Sequence, residues 1–196
     1  MSLKAESDWY KIYDLGMDPA VFLEPFKNIA NEDDSFDINI DRVAEHKAWV
    51  IDDRPDIWEY INNIHPLTDL WTTVRSGLVK QGFVYWIMPE TGSLQPHLDA
   101  KTNDGTDAHG FVIVPLVGKT ITKSYGRPPY INPHSDGTTP KNNDTFTLTY
   151  DWNDYTVVDQ VTYGPGDVVI LNNTNYIHSV HPQSARVALQ FSAASW

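Results

Sequence analysis

Cysteine is missing from the chain altogether. Its absence removes disulfides as a source of stability and thiolates as metal ligands, so any bound metal has to be held by imidazole, carboxylate or water. Cations are scarce too: 14 Lys and Arg against 26 Asp and Glu leave a formal net charge of -12. Those few cations are scattered, and a surface of that sign repels a long polyanion, which disfavours nucleic acid as a partner. No apolar run approaches the length of a membrane span, no signal peptide is visible, and the opening Met1-Ser2-Leu3 reads as an expression leader. A cytoplasmic location is expected, since a chain free of disulfides fits a reducing compartment. Internal repeats and low-complexity tracts are also lacking.

What is present suffices for one core, because 196 residues with a hydrophobic fraction of 41% can bury as a single domain. Residues 1–81 read as an N-terminal helical support region. Asp18-Pro19 ahead of Val21, Phe22, Phe26 and Ile29 predicts a capped helix, and Asn31 to Ser35 reads as a solvated acidic turn with no calcium. Asp52-Asp53-Arg54-Pro55 opens a second helix through Ile57, Trp58, Tyr60, Ile61 and Ile64. A third, carrying Leu67, Leu70, Trp71, Val74 and Leu78, follows the break at Pro66, where His65 is expected to cap or to join the core.

From Gly82 the period changes. Phe83, Tyr85 and Ile87 alternate with Val84, Trp86 and Met88, and short strands then follow one another at the spacing of a sandwich or barrel: the one carrying His97 and Asp99, then 109–116, 145–150, 156–161, 168–171, one with His178 near its end, and 186–191. Between them, Ser124 to Asp144 holds Gly126, Pro128, Pro129, Pro133, Gly137 and Pro140, too many breakers for a ladder. The expectation there is a lid over a site, with His134 exposed within it.

The chemistry starts at Gln95-Pro96-His97-Leu98-Asp99, where strand alternation throws His97 and Asp99 onto one face. His-x-Asp alone is a weak signal; it needs a third ligand from another strand. His178 is that candidate and His181 its rival. If Pro182 to Ser184 form a three-residue hairpin connection, Ala185 pairs with His181 and Ala188 with His178. Arg186 then lies diagonally beside His178, and His181 points to the other face. A guanidinium beside a metal repels the cation unless an anion lies between them, so its natural task is a bidentate grip on the carboxylate of a bound cosubstrate.

With His97-x-Asp99, His178 and Arg186 spread over short strands, residues 82–196 resemble the Fe(II)- and 2-oxoglutarate-dependent dioxygenases. The resemblance implies a mainly β fold with N-terminal helices, its core a double-stranded β-helix (jelly roll, cupin-like). It implies that His97, Asp99 and His178 bind Fe(II), that Arg186 binds the far carboxylate of 2-oxoglutarate, and that Tyr85 lies against that cosubstrate. Dioxygen takes a remaining iron position. The implied reaction hydroxylates a small molecule, amino acid or peptide side chain with release of succinate and carbon dioxide, and Tyr85, Trp86, Tyr125, Tyr130 and Tyr176 are candidate wall or lid residues. One departure stands out: many relatives carry Ser or Thr two residues after the arginine, where this chain has Ala188.

Other classes compete with this reading. A cupin-type metal dioxygenase would share the iron ligands but have no use for Arg186. A non-catalytic jelly-roll module, sugar-binding or virion-associated, would explain strands, aromatics and acidity with no metal, and His97 with Asp99 would then be an ordinary buried pair.

Overall fold

The computed structural model describes residues 1–32, 47–50, 54–64, 84–99, 110–127, 142–144, 147–149 and 156–193. Thirteen strands occur among them: β1 (Ser2–Glu6), β2 (Tyr10–Asp14), β3 (Lys47–Val50), β4 (Val84–Met88), β5 (Leu94–Asp99), β6 (Gly110–Val117), β7 (Thr120–Ser124), β8 (Asn142–Asp144), β9 (Thr147–Thr149), β10 (Asp159–Tyr163), β11 (Asp167–Leu171), β12 (His178–Pro182) and β13 (Arg186–Ala193). Two helices, α1 (Leu23–Glu32) and α2 (Pro55–Asn62), accompany them. A 3-10 turn leads into α1, with Pro19 at its start and the Asp18 side chain accepting from the Ala20 N–H, as the sequence predicts. No described helix is long and apolar enough to cross a membrane.

The strands form two antiparallel sheets. One has seven strands in the order β1-β2-β11-β6-β13-β4-β3, the other six in the order β10-β7-β12-β5-β9-β8. From β4 to β7 successive strands alternate between the sheets, and from β10 to β13 they alternate again. The fold is therefore mainly β, with each sheet assembled from strands far apart in sequence.

The two faces of the seven-stranded sheet differ. On one, Tyr85, Ile87, Val112, Val114, Leu116, Val168, Ile170, Val187, Leu189 and Phe191 pack against Phe22, Phe26, Ile57 and Ile61 from the helical segments. On the other, Ile12, Ile113, Val169, Leu171 and Ala188 meet Val161 and Tyr163 of the six-stranded sheet, together with Trp9 and Tyr176. The helices thus cover one side of the large sheet, and the small sheet covers the other.

Three expectations need correction. Residues 1–81 are not only helical: β1 and β2 form a hairpin that extends the large sheet through β11, and β3 pairs with β4 at the opposite edge. Ser2 and Leu3, read as a leader, pair with Asp14 and Tyr13. Every residue of β1 is exposed, so the short alternation of Leu3 and Ala5 with polar neighbours buries no apolar face. Third, β12 and β13 are not a hairpin. β12 pairs with β5 and β7, whereas β13 pairs with β4 and β6, so the connection through 183–185 passes from one sheet to the other.

Gly118 belongs to that crossing. It has φ +75°, and a Cβ there would lie 2.4 Å from the Ala185 carbonyl oxygen, so the turn from β6 to β7 and the passage into β13 approach too closely for any side chain. The expected third helix, His65, and most of the expected lid with His134 and Tyr130 lie outside the described residues.

Candidate metal centre

His97 and Asp99 stand two residues apart on β5 and share a face by strand alternation. β12 runs alongside with His178 directly opposite His97, and directly opposed residues of an antiparallel pair project to the same side. The register on β7 shows which side: His178 faces Ser124, Val180 faces Thr122, and Thr122 in turn faces Val161, which packs between the sheets. All three side chains therefore point into the space between the two sheets.

There they converge. One ligand atom from each of His97, Asp99 and His178 lies within 4.8 Å of the others, with His97 Nε2 3.4 Å from Asp99 Oδ1 and His178 Nε2 3.7 Å from Asp99 Oδ2. Each imidazole is held from behind. His97 Nδ1 lies 2.6 Å from the Gln95 carbonyl oxygen and His178 Nδ1 lies 3.3 Å from that of Tyr176, contacts that place the N–H on Nδ1 and leave the Nε2 lone pairs for an ion. Both rings are buried, with centroids 4.2 Å apart.

Protonation follows from the surroundings. Burial, and then the neighbouring His97, push the His178 imidazole down to about 4, so it is neutral at neutral pH. Burial works against a charge on His97 as well, but the adjacent Asp99 carboxylate outweighs it and raises that imidazole above the ordinary value. For Asp99, burial favours the acid form, yet the two imidazoles and the Asn173 amide hold it below the usual carboxylate range. Two imidazoles and an ionised carboxylate on one side of a point can hold a divalent metal ion and leave further coordination positions open.

Arg186 starts β13 on the large sheet and crosses to the small one. The residue is 4% exposed, its NH1 donates to Thr120 Oγ1 at 2.9 Å, and Nε has no partner. No carboxylate pairs with it among the described residues. Thr120, Thr122 and Ser124 form a row along the inner face of β7, all at most 1% exposed, and the Tyr163 hydroxyl meets Thr122 Oγ1 at 2.8 Å. Ser124 lies opposite His178, so a strip of hydroxyls roughly 13 Å long leads from the arginine towards the metal ligands. Inner faces of packed sheets are ordinarily apolar, which makes such a strip informative.

The other candidate residues separate. Tyr85 is corrected: it pairs with Leu189 on the helix-covered face, is fully buried, and donates its hydroxyl to the Phe22 carbonyl at 2.9 Å. Trp86, opposite Ala188, takes the inner side of that strand instead. Ala188 does face inward, where it offers no hydrogen bond. His181 points to the opposite side of β12 from His178, with Nε2 2.7 Å from Ser179 Oγ. The residue the sequence did not single out is Asn173, whose Nδ2 donates to Asp99 Oδ2 at 2.6 Å. It sits in an Asn172-Asn173-Thr174-Asn175 run that reads as generic turn chemistry.

No protein-family model matches the chain, and no curated protein matches it by sequence. Its fold is similar to that of a solved structure. The X-ray structure of E. coli ycfD superposes with a TM-score of 0.55 at 11% sequence identity, over 98% of this chain and 54% of that one. The chain thus spans about half the length of that neighbour, and a likeness at this identity concerns the fold alone.

Proposed function

We propose that the chain is an Fe(II)- and 2-oxoglutarate-dependent dioxygenase on a double-stranded β-helix core. Alternation of successive strands between two facing sheets supports the fold reading, and the ligand set supports the metal, since two imidazoles and one carboxylate with open positions suit non-haem ferrous iron. The observation that carries the cosubstrate is Arg186. A buried guanidinium with one hydroxyl partner and no carboxylate is costly unless an anion joins it, and it stands at the far end of a polar strip from the metal ligands. A dicarboxylate that chelates the ion at one end would turn its other carboxylate towards that guanidinium. A cupin-type centre without such an anion leaves the arginine unexplained.

Bound together, ferrous iron, 2-oxoglutarate and dioxygen supply oxidation of a substrate C–H bond, with succinate and carbon dioxide as coproducts. The chain's own share is positional. His97 and His178 are oriented by backbone carbonyls, Asp99 by Asn173, and Arg186 by Thr120, so the metal is held from the six-stranded sheet and the distal carboxylate from both sheets. The Thr120 hydroxyl, an acceptor towards Arg186, keeps its own hydrogen to donate to that carboxylate, the contact Ala188 cannot make. The apolar packing around Tyr176, Ile113 and Ala188 excludes water from the interior. The substrate is proposed to be a small molecule, amino acid or peptide side chain, consistent with the acidic surface.

Anaerobic addition of Fe(II) and 2-oxoglutarate tests the reading by the visible charge-transfer band of a chelated 2-oxo acid. The band is expected in the wild type, absent in His178→Ala, and shifted to much higher 2-oxoglutarate concentration in Arg186→Ala. A normal titration in Arg186→Ala would remove the arginine from the site.

A further inference from the structure

Asn173 is buried at 4% exposure in the loop that joins β11 to β12, and its side chain is only half satisfied. Nδ2 makes the short contact to Asp99 Oδ2, while Oδ1 is buried with no donor. The loop around it is pinned by several bonds: the Asn172 carbonyl accepts from the Asn175 and Tyr176 N–H groups, Asn172 N–H donates to the Trp9 carbonyl, and Asn175 Nδ2 donates to Asn172 Oδ1 at 2.7 Å. The Asn173 carbonyl also accepts from the Asp99 N–H at 3.0 Å. Both main chain and side chain of Asn173 are therefore committed to Asp99, and the amide is held rather than swinging free.

That arrangement makes the two oxygens of Asp99 unequal. Oδ2, 3.7 Å from His178 Nε2, already receives a strong donor, which withdraws electron density from it, whereas among the described residues Oδ1 meets the His97 ring and no donor of that strength. We propose that Asn173 is a positioning residue of the metal centre: it reserves Asp99 Oδ2 and thereby makes Asp99 a one-oxygen ligand through Oδ1. Its own orphaned Oδ1 then accepts a hydrogen bond from a water carried by the ion, which supplies the missing donor. This rests on the metal-binding part of the proposed function and not on 2-oxoglutarate.

Co(II) alone, added to the full chain without cosubstrate, is the probe, because its visible d–d spectrum reports coordination. Asn173→Leu removes donor and acceptor at nearly constant size. It is expected to weaken Co(II) binding by about 10–100-fold and to change the shape of the spectrum as Asp99 offers both oxygens, with the melting temperature of the metal-free protein close to wild type. Asn173→Ala serves the same comparison if the leucine variant does not fold. Wild-type affinity and spectrum in either variant, or a lower melting temperature with unchanged Co(II) binding, would reduce Asn173 to a structural residue. A wild type that takes up no Co(II) also overturns the proposal. Should wild type bind Co(II), with a spectrum that depends on Asn173 but ignores 2-oxoglutarate, the oxygenase reading falls and the role of Asn173 stands.

Discussion

The two faces of β13 are built from neighbouring residues yet belong to different kinds of interior. Val187, Leu189 and Phe191 point to the helices and pack into an aliphatic and aromatic core in which the buried hydroxyl of Tyr85 is satisfied by a backbone carbonyl. Arg186 and Ala188 point to the six-stranded sheet, where hydroxyls and imidazoles are buried, a carboxylate is partly buried, and Arg186 Nε and Asn173 Oδ1 lack partners. The first interior is closed by its own side chains. The second holds groups whose burial costs free energy that the protein alone does not recover, which is the physical mark of a site completed by ligands.

Substitutions on the two faces should separate stability from binding. Phe191→Ala, on the helix side, is expected to cost about 3–5 kcal/mol in denaturant unfolding, enough to threaten the fold. His178→Ala, on the inner side, should lower affinity for a divalent metal more than about 100-fold in a calorimetric titration while the metal-free protein still melts cooperatively. Arg186→Leu is the sharper contrast: with an unpaired buried charge removed, metal-free stability should stay level or rise by about 1–4 kcal/mol, although 2-oxoglutarate binding is lost. A clear loss of stability there would mean that the arginine already has its partners.

Acidity offers a further test of the inner face. His178 is neutral in the folded chain down to about 4, whereas an unfolded histidine takes up its proton near 6.5. The unfolded state therefore binds the extra proton first, and the His178 contribution to stability, present above 6.5, is lost as pH falls from 6.5 towards 4. His97 is raised and must shed its proton to bind an ion, so metal affinity should climb with pH through the upper histidine range and then level off. A pH-independent affinity across that range would contradict the Asp99–His97 coupling. The smallest effect belongs to the helix side: Tyr85→Phe should cost about 1 kcal/mol through the lost bond to the Phe22 carbonyl and leave 2-oxoglutarate binding unchanged.

The sequence made some of this legible and hid the rest for definite reasons. Alternation alone placed His97 with Asp99, and chemistry alone made Arg186 look for an anion. The same alternation failed at Tyr85, because a strand that is apolar on both sides does not reveal which face meets the helices and which meets the second sheet. It failed again at Pro182 to Ser184, since a short turn looks the same whether the next strand folds back or changes sheet. Arg186 reached the inner face nonetheless, by crossing between the sheets and not by lying beside His178.

What the order of residues determined by itself was a β-rich chain with N-terminal helices, an acidic surface, no thiol chemistry, and one His-x-Asp pair committed to a single strand face. These follow from composition and from the two-residue period of a strand, both of which are local. Only the tertiary structure decided that His178 stands opposite His97, that Arg186 looks across at Thr120, and that Asn173 comes to rest on Asp99. Those contacts span dozens of residues, and they exist because successive strands enter opposite sheets, which no period within a single strand can encode.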